Sequence, residues 1–464
     1  MQNAAMPESR RSLNYPQPAY AWFVLALLVI GSLVAFVDRQ VVAIVVEPMK
    51  ADLGATDTQI GWLYGVFALF YALAALPIAG IADKRSRTNL IAVGIFLWSL
   101  MTIACGLGKS YWLIFLARIG VGVGEATLTP ATTSLVGDYF PREKIPLALS
   151  IFQTGAIIGS GLAFLIGGVV LSYVEDAAPL VLPVVGTLTP WQQTFAYVGL
   201  PGFFLAIVFW VLKEPTRRTN PTNAEISSSA PLKQKLLSAD LLQFYKTHRT
   251  TIILHHLGFL SLVLMGYAFV FWSVTYFVRV HDMAPSEASI AFGWVFLIAG
   301  PLGPIAVALA AQRLRAQGKM DANIVTGMIG GLLVIPVIVL IQFAPNATAA
   351  LALYVPAMIL VNSPFGIAAA ALPMIAPPQL RARVAAVYML TGSIGMLLGP
   401  PLAGFFNEHL FPEADGVRYS MVTLTTLFGV LGGILLQLAR PHYAKSLEKA
   451  ELESAAGDMQ QSPK

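Results

Sequence analysis

Four ionisable residues stand out inside long apolar runs of the sequence, Asp38 and Arg39 in one and Arg118 and Glu125 in another. A charge at the centre of a membrane helix costs roughly 2.5–3.5 kcal/mol on the insertion scale, so such residues usually serve ions, protons or charged substrates. Arg118 and Glu125 lie two helical turns apart and share one face, with Gly122 between them leaving room for a close helix or a substrate. Asp38 and Arg39 are adjacent and point about 100° apart, so a single partner cannot serve both equally. At 1.5 Å per residue, Asp38 lies roughly 24 Å from the start of its run, and Arg118 roughly 10 Å from the opposite surface on an antiparallel run. In a hydrocarbon core of about 30 Å with interfacial margins, the two depths coincide within a turn or two. A carboxylate that alternates between an arginine and an apolar setting changes its proton affinity by several units, which is what a proton-coupled carrier needs. The expected coupling group is therefore Asp38, Arg118 and Glu125, with Arg39 and Arg118 drawing an anionic head group. A charge network that only fastens helices together is the competing reading.

Other residues contribute less specific signals. Phe269, Trp272 and Tyr276 recur at three- and four-residue steps and form an aromatic stripe on one helix. Asn362 precedes Pro364 in the middle of an apolar run, where the proline frees a backbone carbonyl and the amide offers a polar partner. Both are expected to line a substrate cavity, although packing explains an aromatic stripe equally well. Gly108-Lys109-Ser110 lacks the earlier glycine of a phosphate loop, because Ile103 stands there. Gly120-x-Gly122 is read as a packing face, since Glu125 replaces the third glycine of a dinucleotide fingerprint. The six histidines form no metal-ligand pattern, and His255 and His256 are expected at the membrane interface. No metal, cofactor or nucleophile motif is expected, and an enzyme is disfavoured.

The elements that must hold these residues follow from composition. Of 464 residues, 56% are hydrophobic and 11% charged, against about 25% charged in a soluble domain. The apolar residues fall into twelve blocks long enough to cross a bilayer: 22–48, 59–82, 89–107, 111–140, 145–173, 191–212, 252–280, 288–311, 324–343, 347–375, 384–406 and 421–438. The fold class is an all-α polytopic membrane protein with twelve transmembrane helices in two six-helix bundles. The expected divisions are an N-terminal segment 1–21, a first bundle 22–212, a linker 213–250, a second bundle 251–439 and a tail 440–464. Within the linker, Thr216–Pro231 reads as coil and Leu232–Tyr245 as an amphipathic interfacial helix. A cleavable signal peptide is not expected, since the first apolar block is too long for one. The single cysteine, Cys105, excludes an intramolecular disulfide.

Charge sets the expected orientation. Of 29 Lys and Arg residues, 23 fall in the termini, the linker and alternate loops on one side, whereas Lys50, Lys109, Arg279 and Arg418 fall on the other. The positive-inside rule then places both termini and the linker in the cytoplasm. Basic residues kept to short loops also make a nucleic-acid partner unlikely, despite a net charge of +5. The halves echo one another: Arg142-Glu143-Lys144 precedes Gly155-x-x-x-Gly159, and Arg381-Ala382-Arg383 precedes Gly395-x-x-x-Gly399. Two parallel six-span repeats with a site between them suit a rocking transporter.

Gly80-x-x-Asp83-Lys84-Arg85-Ser86-Arg87 and Arg118-Ile119-Gly120-Val121-Gly122-Val123-Gly124-Glu125-Ala126 resemble the loop and fourth-span signatures of the major facilitator superfamily. Ser86 stands where that loop usually carries glycine. Together with Phe36-Val37-Asp38-Arg39, the chain resembles the spinster branch, whose animal members export sphingolipids or lysolipids. The resemblance implies that spans one and four are neighbours, which would let Asp38 meet Arg118. It also implies gating by Asp83 and Arg87 through charge pairs to neighbouring helix ends. The expected function is a secondary carrier of an amphipathic, lipid-like or organic anionic substrate, coupled to protons. Alternatives are a drug or organic-anion antiporter and, in a different class, a lipid-sensing receptor or membrane enzyme. The expected setting is the plasma (inner) membrane, as a monomer whose partners are substrate, protons and lipid.

Overall fold

The structure, a computed structural model, describes residues 15–183, 185–217 and 238–461. Among these, twelve helices are long and apolar enough to cross a membrane. They are Pro18–Ile44, Asp57–Ala82, Arg87–Leu107, Tyr111–Tyr139, Ile145–Asp176, Pro190–Val211, Arg249–His281, Pro285–Ala316, Ala322–Ile341, Ala347–Ile375 and Arg381–His409, with Val417–Gln461 as the last. They are called spans one to twelve below. The even number puts both ends of the described chain and the linker on one face, here the terminal face. The opposite one is the distal face.

Local chemistry sets the helix ends. Thr56 and Gln59 form a capping box at the start of span two, which satisfies amide hydrogens that have no partner inside the helix. Ser86, in the position the family gives to glycine, caps span three by accepting from the Asn89 amide at 3.3 Å. Span four breaks between Glu125 and Leu128. There the Thr127 hydroxyl donates to the Gly124 carbonyl at 2.8 Å, and Pro130 removes an amide hydrogen from the next turn. Span eight breaks in the same way at Gly300-Pro301. Span one ends at Ile44, earlier than expected, and a short helix Val46–Leu53 follows it, closed by Gly54 at φ 60°. Span twelve continues as helix to Gln461 through the segment expected as a tail.

Two related bundles emerge from the packing. In the first, span one packs on span five, span three on spans four and six, and span two on span four. In the second, span seven packs on span eleven, span nine on spans ten and twelve, and span eight on span ten. Each pairing in one half has its counterpart six spans later. The glycine motifs do the same work in both: Gly155 and Gly159 face Val29, Leu33 and Phe36 of span one, while Gly395 and Gly399 face Val263, Leu264 and Ala268 of span seven. The bundles meet through spans two and eleven and through spans five and eight.

Two further elements complete the described chain. On the distal face, Leu180–Leu182 pairs antiparallel with Gly186–Leu188, a short hairpin that the sequence reading did not include. The linker contributes the helix Ala239–Thr247, capped by Ser238. Residues 218–237, which hold most of the expected coil and the first part of the expected amphipathic helix, lie outside the described residues, as do 1–14 and 462–464.

Candidate substrate and coupling site

The four intramembrane charges come together as the depths required, but with different partners. Arg39 donates to Glu125, Nη2 to Oε2 at 2.7 Å. Its guanidinium carbon lies 4.7 Å from the Phe36 ring centre, 4.9 Å from Phe67 and 5.4 Å from Tyr71. Arg118, fully buried, makes no ion pair among the described residues. It donates instead to three carbonyls, those of Leu63 at 3.2 Å, Asp38 at 3.0 Å and Arg39 at 3.5 Å. A helical carbonyl keeps a second lone pair after its ladder bond, so Arg118 ties spans one, two and four together through their backbones. The expected contact between the Asp38 carboxylate and Arg118 is therefore absent. Both oxygens of Asp38 are buried without a hydrogen-bond partner, and Trp98 and Thr102 of span three stand beside them. Depth arithmetic matched the levels of Asp38 and Arg118, but it carried no information on rotation about the helix axis. Arg39, about 100° further round, is the side chain that turns toward span four.

Gly122 is filled from the side by span two. A Cβ there would lie 2.6 Å from the Phe67 carbonyl oxygen, so the room between Arg118 and Glu125 belongs to a neighbouring helix and not to a substrate. Nor do the aromatics of span seven line the cavity. Phe269 stacks on Tyr354 with ring centres 5.1 Å apart. Trp272 donates to the Pro400 carbonyl at 3.0 Å, and Tyr276 to that of Ile341 at 3.2 Å. All three are buried within the second bundle, because the stripe they form faces its neighbouring spans. Asn362 folds back onto its own helix, donating to the Met358 carbonyl at 2.9 Å, and is half-buried. The rings that do reach across the bundle interface are Tyr267 and Phe271, whose centres lie 6.5 and 5.1 Å from that of Tyr64. His255, in the second turn of span seven, is fully buried and bonds the Ala368 carbonyl at 3.1 Å.

A second charged cluster, unforeseen from the sequence, closes the distal side between the bundles. Arg279 at the end of span seven grips both oxygens of Asp57 at 2.7 and 2.8 Å and reaches Glu47 at 2.8 Å. Lys50 also bonds Asp57, and Asn407 of span eleven adds a bond at 2.8 Å. Glu408 accepts from the amide and hydroxyl of Thr58 at 2.7 and 2.8 Å, a carboxylate at the amide-rich start of span two. Around this cluster a Cβ at Gly61 would lie 2.5 Å from the backbone of Pro401, and one at Gly404 2.4 Å from the Asp57 carbonyl. Spans five and eight meet at the same level, Ser286 donating to Glu175 and Ser289 to the Phe164 carbonyl. Toward the terminal face the same helices part, leaving Leu73, Ile151, Ile305 and Met389 exposed. All hydrogen bonds between the two bundles among the described residues lie in the distal half. The site between them opens toward the terminal face.

A family model described as Major Facilitator Superfamily matches residues 28–369. The chain belongs to this superfamily. It is an integral, multi-pass membrane transporter of the alternating-access type. Over 93% of its length it is 24% identical to an MFS-type efflux pump of Mycolicibacterium smegmatis, of which it covers 95%. It is 26% identical over 96% of its length to the sphingosine-1-phosphate transporter SPNS2 of Xenopus tropicalis, covering 87% of that protein. A crystal structure of a bacterial homologue of the human lysosomal transporter spinster, inward-facing and unoccupied, is similar with a TM-score of 0.79 at 25% identity. That likeness covers 93% of this chain and 99% of the other.

The superfamily loop after span two contains both expected gating residues, in different settings. Asp83 is exposed on the terminal side, its amide donating to the Ala79 carbonyl and its own carbonyl accepting from Arg217. Arg87 is buried and does not cross to the second bundle. It bonds Asp138 of span four, the Ser134 hydroxyl at 3.1 Å, Glu214 beyond span six at 2.7 Å and the Pro215 carbonyl at 3.3 Å. Arg87 thus locks three helix ends of the first bundle of this major facilitator into one rigid unit. Glu214 also accepts from the Thr88 amide and hydroxyl at 3.0 and 3.1 Å. Partial burial alone would raise its pKa, but the Thr88 amide and the Arg87 guanidinium outweigh that and hold the carboxyl below its usual range.

Proposed function

We propose that this transporter is a proton-coupled secondary carrier of an amphipathic, lipid-like or organic anionic substrate. The observation that carries the reading is the Arg39–Glu125 pair. A guanidinium framed by Phe36, Phe67 and Tyr71 is balanced by a single carboxylate at mid-membrane. An anionic head group can replace Glu125 on Arg39 only if Glu125 leaves or takes up a proton, because two carboxylate-like charges on one guanidinium repel. Asp38, close by with no partner, is a second acid whose proton is exchanged as the halves rock. Arg118 positions both groups by holding the spans at fixed register. The charge pair lies in the first half while Tyr267 and Phe271 present rings from the second. This asymmetry suits a molecule with a charged end and an apolar body.

Basic residues on the terminal face support a cytoplasmic position for both termini and the linker, in a plasma (inner) membrane. The cavity of this conformation then faces inward. The inferred divisions are the bundles 22–212 and 251–439 joined by the linker 213–250, acting as a monomer. Similarity to an efflux pump over nearly the whole chain supports the second reading, a drug or organic-anion antiporter with the same coupling group. Reconstituted protein should accumulate a lysophosphatidic acid probe when a pH gradient is imposed, and a protonophore should abolish it. Preferential movement of cationic dyes over lysolipid probes would favour the antiporter. Gradient-independent flux of either would refute coupling.

A further inference from the structure

Around Asp38 three polar groups are buried together and none is satisfied. Both carboxylate oxygens, the Trp98 indole nitrogen and the Thr102 hydroxyl lack hydrogen-bond partners, and Asp38, Trp98 and Thr102 are each fully buried. Trp98 and Thr102 are one turn apart on span three, so their side chains share a face, and that face is turned to Asp38. The other titratable or charged neighbours are Arg118 and Glu125 of span four and Cys105 of span three, with Arg39 adjacent on span one. None of these donates to the carboxylate. A buried polar group left without a partner is destabilising, and Trp98 and Thr102 are the two donors placed beside the Asp38 carboxylate.

We infer that Trp98 and Thr102 are the positioning residues of Asp38: both donate to its carboxylate when it is ionised, and only Thr102 can accept from its O–H when it is protonated. The chemistry of the two groups makes this asymmetry necessary. An indole N–H donates and cannot accept, whereas a hydroxyl does either. When Asp38 takes up a proton, its new O–H needs an acceptor, and the Thr102 oxygen can turn to provide one. Trp98 therefore favours the charged form, to which its hydrogen bond is stronger, while Thr102 follows the carboxyl through both states. Among the described residues no group of three acidic, histidine or cysteine side chains surrounds Asp38 to hold a cation, so the group it is set to exchange is a proton and not sodium. The inference rests on the reading of Asp38 as an exchanging acid, and it adds the residues that set when the exchange occurs.

Infrared titration of the full chain in lipid nanodiscs tests it without any substrate, by following the protonated-carboxyl band that Asp38→Asn removes. Trp98→Phe should move the titration midpoint up by about one pH unit, since the hydrogen bond it removes is stronger to the ionised than to the protonated carboxyl. Thr102→Val should move the band to higher frequency with little change in midpoint, and Thr102→Ser should restore the original band. Sodium ion should leave the titration unchanged. Wild-type midpoint and band in both Trp98→Phe and Thr102→Val would overturn the inference. So would a sodium-dependent shift in the wild type. If Trp98→Phe does not fold, the valine and serine variants at Thr102 decide alone. Failure of proton coupling itself appears separately, as gradient-driven uptake that survives Asp38→Asn.

Discussion

At the scale of single residues, the pairing of Arg39 with Glu125 assigns the two arginines different work. Arg118 is bound to backbone carbonyls and holds helices. Arg39 keeps 16% of its side chain exposed and lies among the rings of Phe36, Phe67 and Tyr71. Arg39→Lys keeps the charge but loses the flat face that lies near three rings and the forked donors a guanidinium offers an anionic head group. It should weaken binding of an anionic lysolipid by about tenfold, a loss in line with about 1–2 kcal/mol of cation–π contact. Microscale binding in nanodiscs reads this directly, and unchanged affinity would remove Arg39 from the substrate site. These residues were legible in the sequence because an ionisable side chain in an apolar run has few bland explanations. Their pairing was not legible, since a depth in the membrane fixes height and leaves rotation open. The aromatic stripe of Phe269, Trp272 and Tyr276 was misleading for a related reason. A regular stripe marks a buried face, and in this molecule that face meets other helices of its own bundle.

At the scale of elements, the expected starts of spans two and three fall two residues inside the observed ones, whose caps are Thr56 and Ser86. Boundaries were not readable where a span breaks within an apolar stretch, as at Thr127 or Gly300-Pro301. The loop after span two shows how one motif serves two tasks. Arg87 binds Glu214 and Asp138 and fastens helix ends within one bundle, while Asp83 stays exposed on the terminal side. Asp83→Asn should weaken closure of the terminal face, lowering transport more than substrate binding. Distances between spin labels across that face should show a larger open population, and an unchanged distribution would take Asp83 out of gating. Glu214 gives a pH-dependent signature. Its folded-state pKa is depressed, so its stabilising contribution is full above the ordinary glutamate range and is lost as pH falls through the depressed value. Glu214→Gln should therefore lower the melting temperature at pH 7, on the order of 2 °C, and the difference from wild type should vanish in acid. A difference that persists there would show that the carboxyl acts through its shape alone.

For the whole molecule, the contacts divide by level: the bundles are joined on the distal side and apart on the terminal side. The cluster of Arg279, Asp57, Glu47, Lys50, Asn407 and Glu408 holds this arrangement. It was invisible in the sequence because its members lie at span ends, where charges are ordinary, and hundreds of residues separate Asp57 from Arg279 and Asn407. The twofold repeat was far more legible, carried by paired glycine motifs that meet the same counterpart spans in each half. Arg279→Ala leaves Asp57 with only Lys50 and Asn407, and breaking a largely buried pair costs more than a surface one. It should raise the distal-open population by about tenfold, read from label distances between spans two and eleven. No change would mean that the glycine-lined helix contacts hold that side without the charges. The central claim, that substrate movement is coupled to protons through the buried acids, is tested most directly by uptake into proteoliposomes under an imposed pH gradient. Wild type and Asp38→Asn would be compared using a lysophosphatidic acid probe. The account predicts that Asp38→Asn binds the probe, with an affinity that no longer varies with pH, and accumulates none in response to the gradient. Normal gradient-driven accumulation by Asp38→Asn would contradict it and return the four charges to a purely structural role.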